Sequence, residues 1–226
     1  MFARLNTSGR RNLLLEIAMI VVGINIALWF EGWFEDLKDA ETEQQYLAGL
    51  RDDLLTDVKQ LDAVIKYNAS RLEIIGQILP GLGSLDQASS EDQANAMFAP
   101  SSYHFFDPSD FTYRSMQESG DFRLLSDADT KKRLLRLVRE YRLIDTLQEN
   151  FIQAMDDEYI PLMMSKFDLV EQRVVDYSIF ESQIFKNFFA YTYQDIEARL
   201  GVYESVREQA QVLIGAIEAQ LRNQEV

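Results

Sequence analysis

LLLEIAMIVVGINIALWFEGWF, residues 13–34, is the only long apolar run in the chain. From Leu13 to Phe30 it holds one charge, Glu16, and one amide, Asn25. At about 1.5 Å of rise per residue, roughly 20 helical residues cross a hydrocarbon layer about 30 Å thick. The run reaches that length with Glu31 at the headgroups and reads as a transmembrane helix. A cleaved signal peptide is the competing reading. Its apolar core is usually about 7 to 15 residues long and ends at small residues. Here the run is longer and ends in Leu28, Trp29 and Phe30, which favours an uncleaved anchor.

The flanks predict orientation. Residues 1–12 contain Arg4, Arg10 and Arg11 and no acid. The remainder, Glu16 aside, keeps 19 basic and 36 acidic residues. Basic flanks stay on the cytoplasmic side, so the expected layout is a cytoplasmic tail (1–12), a span (13–34) and an extracytoplasmic domain (35–226). In a Gram-negative cell that domain is periplasmic and the span lies in the bacterial inner membrane. With no second span, the C-terminus is expected on the same outer side. Trp29, Phe30, Trp33 and Phe34 would form the outer aromatic belt.

Within the span, Gly23 and Ala27 form a small-xxx-small pair that lets two helix backbones approach closely. Glu16 precedes Gly23 by seven residues and projects from nearly the same face. The functional reading is a helix–helix contact with Glu16 at its seam, or, more remotely, a ring of Glu16 side chains around an ion path. The simpler reading is a carboxylate snorkelling to the cytoplasmic headgroups. Asn25 falls half a turn away and would bond a different neighbour.

Beyond the span the helical pattern continues. Leu47, Leu50, Leu54, Val58, Leu61, Ile65, Leu72, Ile75 and Leu79 recur at intervals of mostly three or four, the mark of an amphipathic helix. Arg51, Asp52, Asp57, Lys59 and Lys66 are placed on its solvent face. A helix of about 40 residues, which can run on from the span, is expected to end at Pro80-Gly81. Short helices are predicted near Glu91–Phe98 and from Asp110 to Gly120. A longer one, capped at Ser126, follows and is kinked or ended at Pro161. The last is expected over about Tyr193–Arg222, where Ile196, Leu200, Tyr203, Val206, Ala210, Leu213, Ile217 and Leu221 repeat. It suits an antiparallel partner for the 35–79 helix, or a coiled coil. The expected fold is all-α: one N-terminal transmembrane helix followed by an elongated antiparallel helical bundle.

Composition narrows the chemistry. The chain has 226 residues, no Cys and a net charge of −15. Disulfides, thiolate catalysis and cysteine zinc sites are excluded, and the negative balance argues against nucleic acid. The single histidine, His104, reads as a loop residue rather than a ligand. It sits in APSSYHFFDPSDF, whose aromatics Tyr103, Phe105, Phe106, Phe111 and Tyr113 are expected to pin the loop. Asp156-Asp157-Glu158 would point to different sides of a helix. No phosphate loop, nucleophile elbow or zinc-protease motif is found. The expectation is no catalytic residue, no cofactor and no metal site. Lys132, Arg136 and Arg139 belong to the one basic patch beyond the span, read either as a site for an acidic partner or as a solvated helix face.

Two pieces carry a resemblance: the span with EQQYLAGLRDDL after it, and FTYRSMQESGDFRLLSDADTKKRLL (residues 111–135). With Glu16-Ile17, Gly23-Ile24-Asn25-Ile26-Ala27-Leu28 and Trp33, the chain resembles an uncharacterised bacterial family of small single-span membrane proteins. Glu118 before Ser119-Gly120, and Leu125 in place of Ile, depart from its pattern. The resemblance implies a membrane-anchored helical protein and no activity. Together these readings predict a non-enzymatic protein that assembles with itself or with another envelope membrane protein. The alternative is a ligand-sensing module that signals through a partner.

Overall fold

The computed structural model describes the backbone of residues 7–224 and the side chains of residues 16–223. Arg4 and the side chains of Arg10 and Arg11 lie outside that range. The described chain is almost entirely helical, in keeping with the all-α expectation.

Helix α1, Thr7–Ile78, is one unbroken rod of 72 residues, about 110 Å long at helical rise. No proline interrupts it until Pro80, which opens a 3-10 segment, Leu79–Gln87. From Glu16 to Lys38 it is bare: Ile20, Val22, Ile24, Trp29, Phe30 and Phe34 are all more than half exposed. This N-terminal length is apolar and long enough to cross a membrane. Among the described side chains of α1, burial begins at Glu43 and Leu47.

The second half of α1 packs against two long helices, α4 (Ala128–Ala154) and α6 (Gln183–Gln224). Arg207 of α6 pairs with Asp62 of α1 at 3.1 Å, while Tyr193 lies against Gly76. As α1 advances α6 therefore runs back, the antiparallel pairing expected. Shorter helices lie between them, among them α2 (Ser90–Phe98) and α3 (Phe111–Ser119). Gly120 ends α3 with φ +79°, the left-handed cap that glycine adopts without strain.

Two apolar cores stack along α1. One joins Leu47–Val64 to Leu134–Ile144 and Tyr203–Ile217. The other joins Ile75 to Phe151–Met163 and Phe185–Ile196. On each of the three long helices the change of core falls at buried polar residues: Asn68 and Arg71, Gln148, and Arg199.

Several expectations are corrected. The cap of α4 is Asp127, not Ser126: its carboxylate accepts Thr130 N–H at 2.7 Å, while Ser126 N–H is drawn to Glu43 of α1 at 2.6 Å. An aspartate also sets a negative charge at the helix N-terminus. Helix α6 starts ten residues earlier than expected. Phe185, Phe188 and Phe189, spaced for one helical face, form its first buried turns. Arg173–Val174 (β2) pairs antiparallel with Phe167–Asp168 (β1) in a minimal hairpin, and Gln172 turns it at φ 50°. Pro161 sits in the first turn of α5, Ile160–Lys166, just after a widened π turn at Met155–Tyr159. Its missing N–H and bulky ring rule out a regular turn there.

Candidate functional site: a polar seam beneath the 99–112 strap

The residues singled out in the span lie where helical spacing puts them. Glu16, Gly23 and Ala27 share one face of α1, and nothing lies within 4 Å of a Cβ built at Gly23. Asn25 is opposite and donates to its own helix, at Val21 C=O, 2.7 Å. Trp29 and Trp33 each meet Phe30 edge to face, at 5.3 and 6.3 Å between ring centres, and Phe34 is exposed. The basic patch is partly neutralised: Arg139 pairs with Glu140 at 2.9 Å and Arg133 with Asp129 at 2.6 Å. Lys132 and Arg136 stay on the outer face of α4.

A different constellation holds the head together, and the sequence reading missed it. Asp57, placed above on the solvent face, is 1 % exposed. It belongs to a polar stripe along one flank of α1 that binds the backbone of residues 99–112, the connection from α2 together with the first residues of α3. Arg71 donates to Ala99 C=O at 3.0 Å and Asn68 to His104 C=O at 3.0 Å. Gln60 accepts from Asp107 N–H at 3.0 Å, Asp57 from Ser109 N–H at 2.7 Å and Asp53 from Thr112 N–H at 2.9 Å. From α4, Gln148 takes Phe106 N–H at 2.9 Å and returns a bond to Phe106 C=O at 3.0 Å, as a neighbouring strand would. Tyr203 of α6 donates to the same Gln148 oxygen at 2.8 Å. A loop drawn into a core must have its backbone groups paired, and here side chains pair them. The signal was a second stripe, polar, at the same three-to-four spacing as the apolar one.

The strap's aromatics divide. Phe106 and Tyr113 are buried and Phe105 packs against the upper core. Tyr103 stacks on Phe105 but is half exposed. Phe111 is 80 % exposed, contrary to the pinning role expected of it, because the first turn of α3 directs it outward while Thr112 closes on Gly49. The His104 ring lies beside Tyr67, 5.3 Å between centres.

Under the strap a cavity of about 160 Å³ is lined by Asp57, Tyr141, Leu54 and Leu137, with Asp53, Asp110 and Asp145 around it. Both Asp57 oxygens are taken, one by Ser109 and one by the Tyr141 hydroxyl at 2.7 Å, so Asp57 serves as a clamp. Among the described residues no cluster of three His, Asp or Glu side chains is arranged to hold a metal ion.

Burial holds the Asp57 carboxyl above its ordinary value of 3.8, against the opposing pull of its two donors. A carboxyl that titrates higher in the folded chain binds more protons there than when unfolded. Its contribution to stability is therefore present at low pH and is lost as pH rises from 3.8 through the folded value. The stability advantage of the native protein over Asp57→Asn is accordingly expected to be greatest in acid and to shrink as pH rises through that window. Urea midpoints of the two proteins across the acid range measure it; a gap that widens with pH contradicts the assignment.

No curated protein and no solved structure matches the chain. A family model matches residues 16–157, which include nearly all of both pieces that carried the resemblance. The match takes in α1 from Glu16, the strap and all of α4, and the chain belongs to that family, a family of unknown function (DUF6090).

Proposed function

We propose that this is a non-enzymatic, single-span membrane protein of the bacterial inner membrane, with its N-terminus cytoplasmic and its helical bundle periplasmic. In this reading the span brings copies of the chain together. The observation that carries the proposal is the continuity of α1: a bare apolar rod passes without a break into a packed head. A stretch with that much exposed apolar surface needs lipid or protein around it.

The phase of α1 favours a second copy as partner. At about 100° per residue, the face of Glu16, Gly23 and Ala27 continues to Phe34, Glu41, Gln45, Asp52 and Lys59, all exposed. The opposite face carries Glu43, Leu47, Leu50, Leu54 and Leu61, all buried in the head. The head thus stands behind the small-residue face, and two chains meeting at Gly23 keep their heads clear of each other. Another envelope membrane protein offering a small-residue helix would fit the same face.

Single cysteines test this in native membranes, since the chain has none of its own. Gly23→Cys is expected to give a disulfide-linked dimer under mild oxidation and Asn25→Cys is not. Equal linking at both, or linking at neither together with a monomer in native mass spectrometry, refutes self-assembly through this face. Labelling of cysteines in either flank reports the topology separately.

A further inference from the structure

The recess beneath the strap has the size and lining of a ligand site. Its volume, about 160 Å³, is near that of engineered protein cavities that take up benzene, about 150 Å³. Leu50, Leu54, Leu134 and Leu137 wall it and are all buried. Arg114, Gln117, Arg142 and Asp145 also line it and are exposed, so it opens to water. Small-molecule sites combine apolar walls of this kind with a few polar groups that fix orientation.

The polar groups on offer are carboxylates. The donors beside them are engaged: the Tyr141 hydroxyl on Asp57 at 2.7 Å, the Gln117 amide on the Tyr113 hydroxyl at 2.7 Å and Arg114 on Asp110 at 2.6 Å. Asp145 is different. Its carboxylate is exposed and has no hydrogen bond or ion pair among the described residues. Partial burial and, after it, the charges of Glu149, Asp107 and Asp110 hold this carboxyl above its ordinary 3.8. Arg142, the remaining cation on the lining, is not among the groups that act on it. Around the recess Asp53, Asp57, Asp110 and Asp145 outnumber Arg114 and Arg142.

An apolar recess with surplus negative charge selects a cation. Among the described residues no three acids converge as a metal ion requires, and an apolar wall gives a bare ion nothing. An organic cation uses both features. Val138, Tyr141 and Asp145 follow one another at three and four residues on one face of α4, and all three line the recess. They set an apolar side chain, a ring and a free carboxylate in a row.

We propose that the recess binds a small organic ammonium ion, its charge at Asp145 and its apolar body against Tyr141 and Val138. The site is formed within one chain and does not depend on how many copies assemble. Its failure and the failure of self-assembly are therefore separate results.

Benzylammonium titrated calorimetrically into the full chain in zwitterionic nanodiscs, with empty discs as the blank, is the test. Saturable binding of one benzylammonium per chain is expected. Benzyl alcohol, with the same ring and no charge, is expected to bind at least about tenfold more weakly, the size of a lost charge-assisted hydrogen bond. Benzoate is expected not to bind, and calcium ions not to displace benzylammonium. Asp145→Asn, at an exposed position that leaves the fold in place, is expected to cost about tenfold in affinity. Val138→Phe narrows the recess from its wall and is expected to exclude the ring. No saturable binding above the blank, equal binding of benzyl alcohol or benzoate, displacement by calcium, or unchanged affinity in either folded variant overturns the proposal.

Discussion

Gln148→Leu is expected to cost about 3–5 kcal/mol of folding stability. Leucine fills similar space but leaves three buried groups without partners: the N–H and C=O of Phe106 and the hydroxyl of Tyr203. Each buried group left unpaired costs about 1–3 kcal/mol, a large part of a total that is usually about 5–15 kcal/mol. Urea unfolding of the full chain, followed by circular dichroism, gives the magnitude. Hydrogen exchange at the Phe106 amide gives the location, and its protection is expected to fall more than that of amides in α6. A double-mutant cycle with Tyr203→Phe is expected to be strongly non-additive, since both changes break one bond. Additive costs show that the Gln148–Tyr203 bond contributes nothing.

Phe151→Ala is expected to cost a similar amount, about 3–5 kcal/mol, by a different route. Phe151 is fully buried. Its ring meets Phe105, Phe188 and Tyr191 at 6.2–6.4 Å between centres. Truncation removes the burial and leaves a cavity that three helices and a strap are poorly placed to close. It also takes away the aromatic face beneath Arg199, an interaction of about 1–2 kcal/mol when desolvated. Phe151→Leu keeps most of the volume but no ring, so its difference from the native protein reports what the ring contributes to its neighbours, Arg199 included, and its difference from Phe151→Ala reports the cavity. Equal urea midpoints for Phe151→Leu and the native protein argue that the guanidinium draws nothing from this ring.

The parts of the fold that were legible in sequence are those governed by local periodicity. The apolar stripe from Leu47 to Ile75 and the breaker pair Pro80-Gly81 placed α1 and its end, because spacing of three or four has one physical meaning on a helix. Phe185–Phe189 belong to the first turns of α6 but lie outside the 193–222 stretch expected from spacing, since aromatics pack equally well in several backbone forms. The strap was hidden for a stronger reason. Asp57 has the same chemistry whether it faces water or Tyr141, and Tyr141 lies 84 residues away in the chain. Gln148 and Phe106 are 42 apart. A polar stripe on α1 marks that something is bound there, but partners at such distances cannot be named from the local pattern. The Gly23 face was visible from spacing alone. Its relation to the head was not, because that needs the phase of the buried residues further along the same helix.

Sharp bends in helices come from proline, glycine pairs or widened turns, and α1 has none of these between Glu16 and Ile78. The rod therefore has no joint. Rotation imposed at Trp33 meets no hinge before Arg71, some 57 Å further along the axis at helical rise. Whatever grips the lower end sets the heading of the upper end, as a crankshaft does.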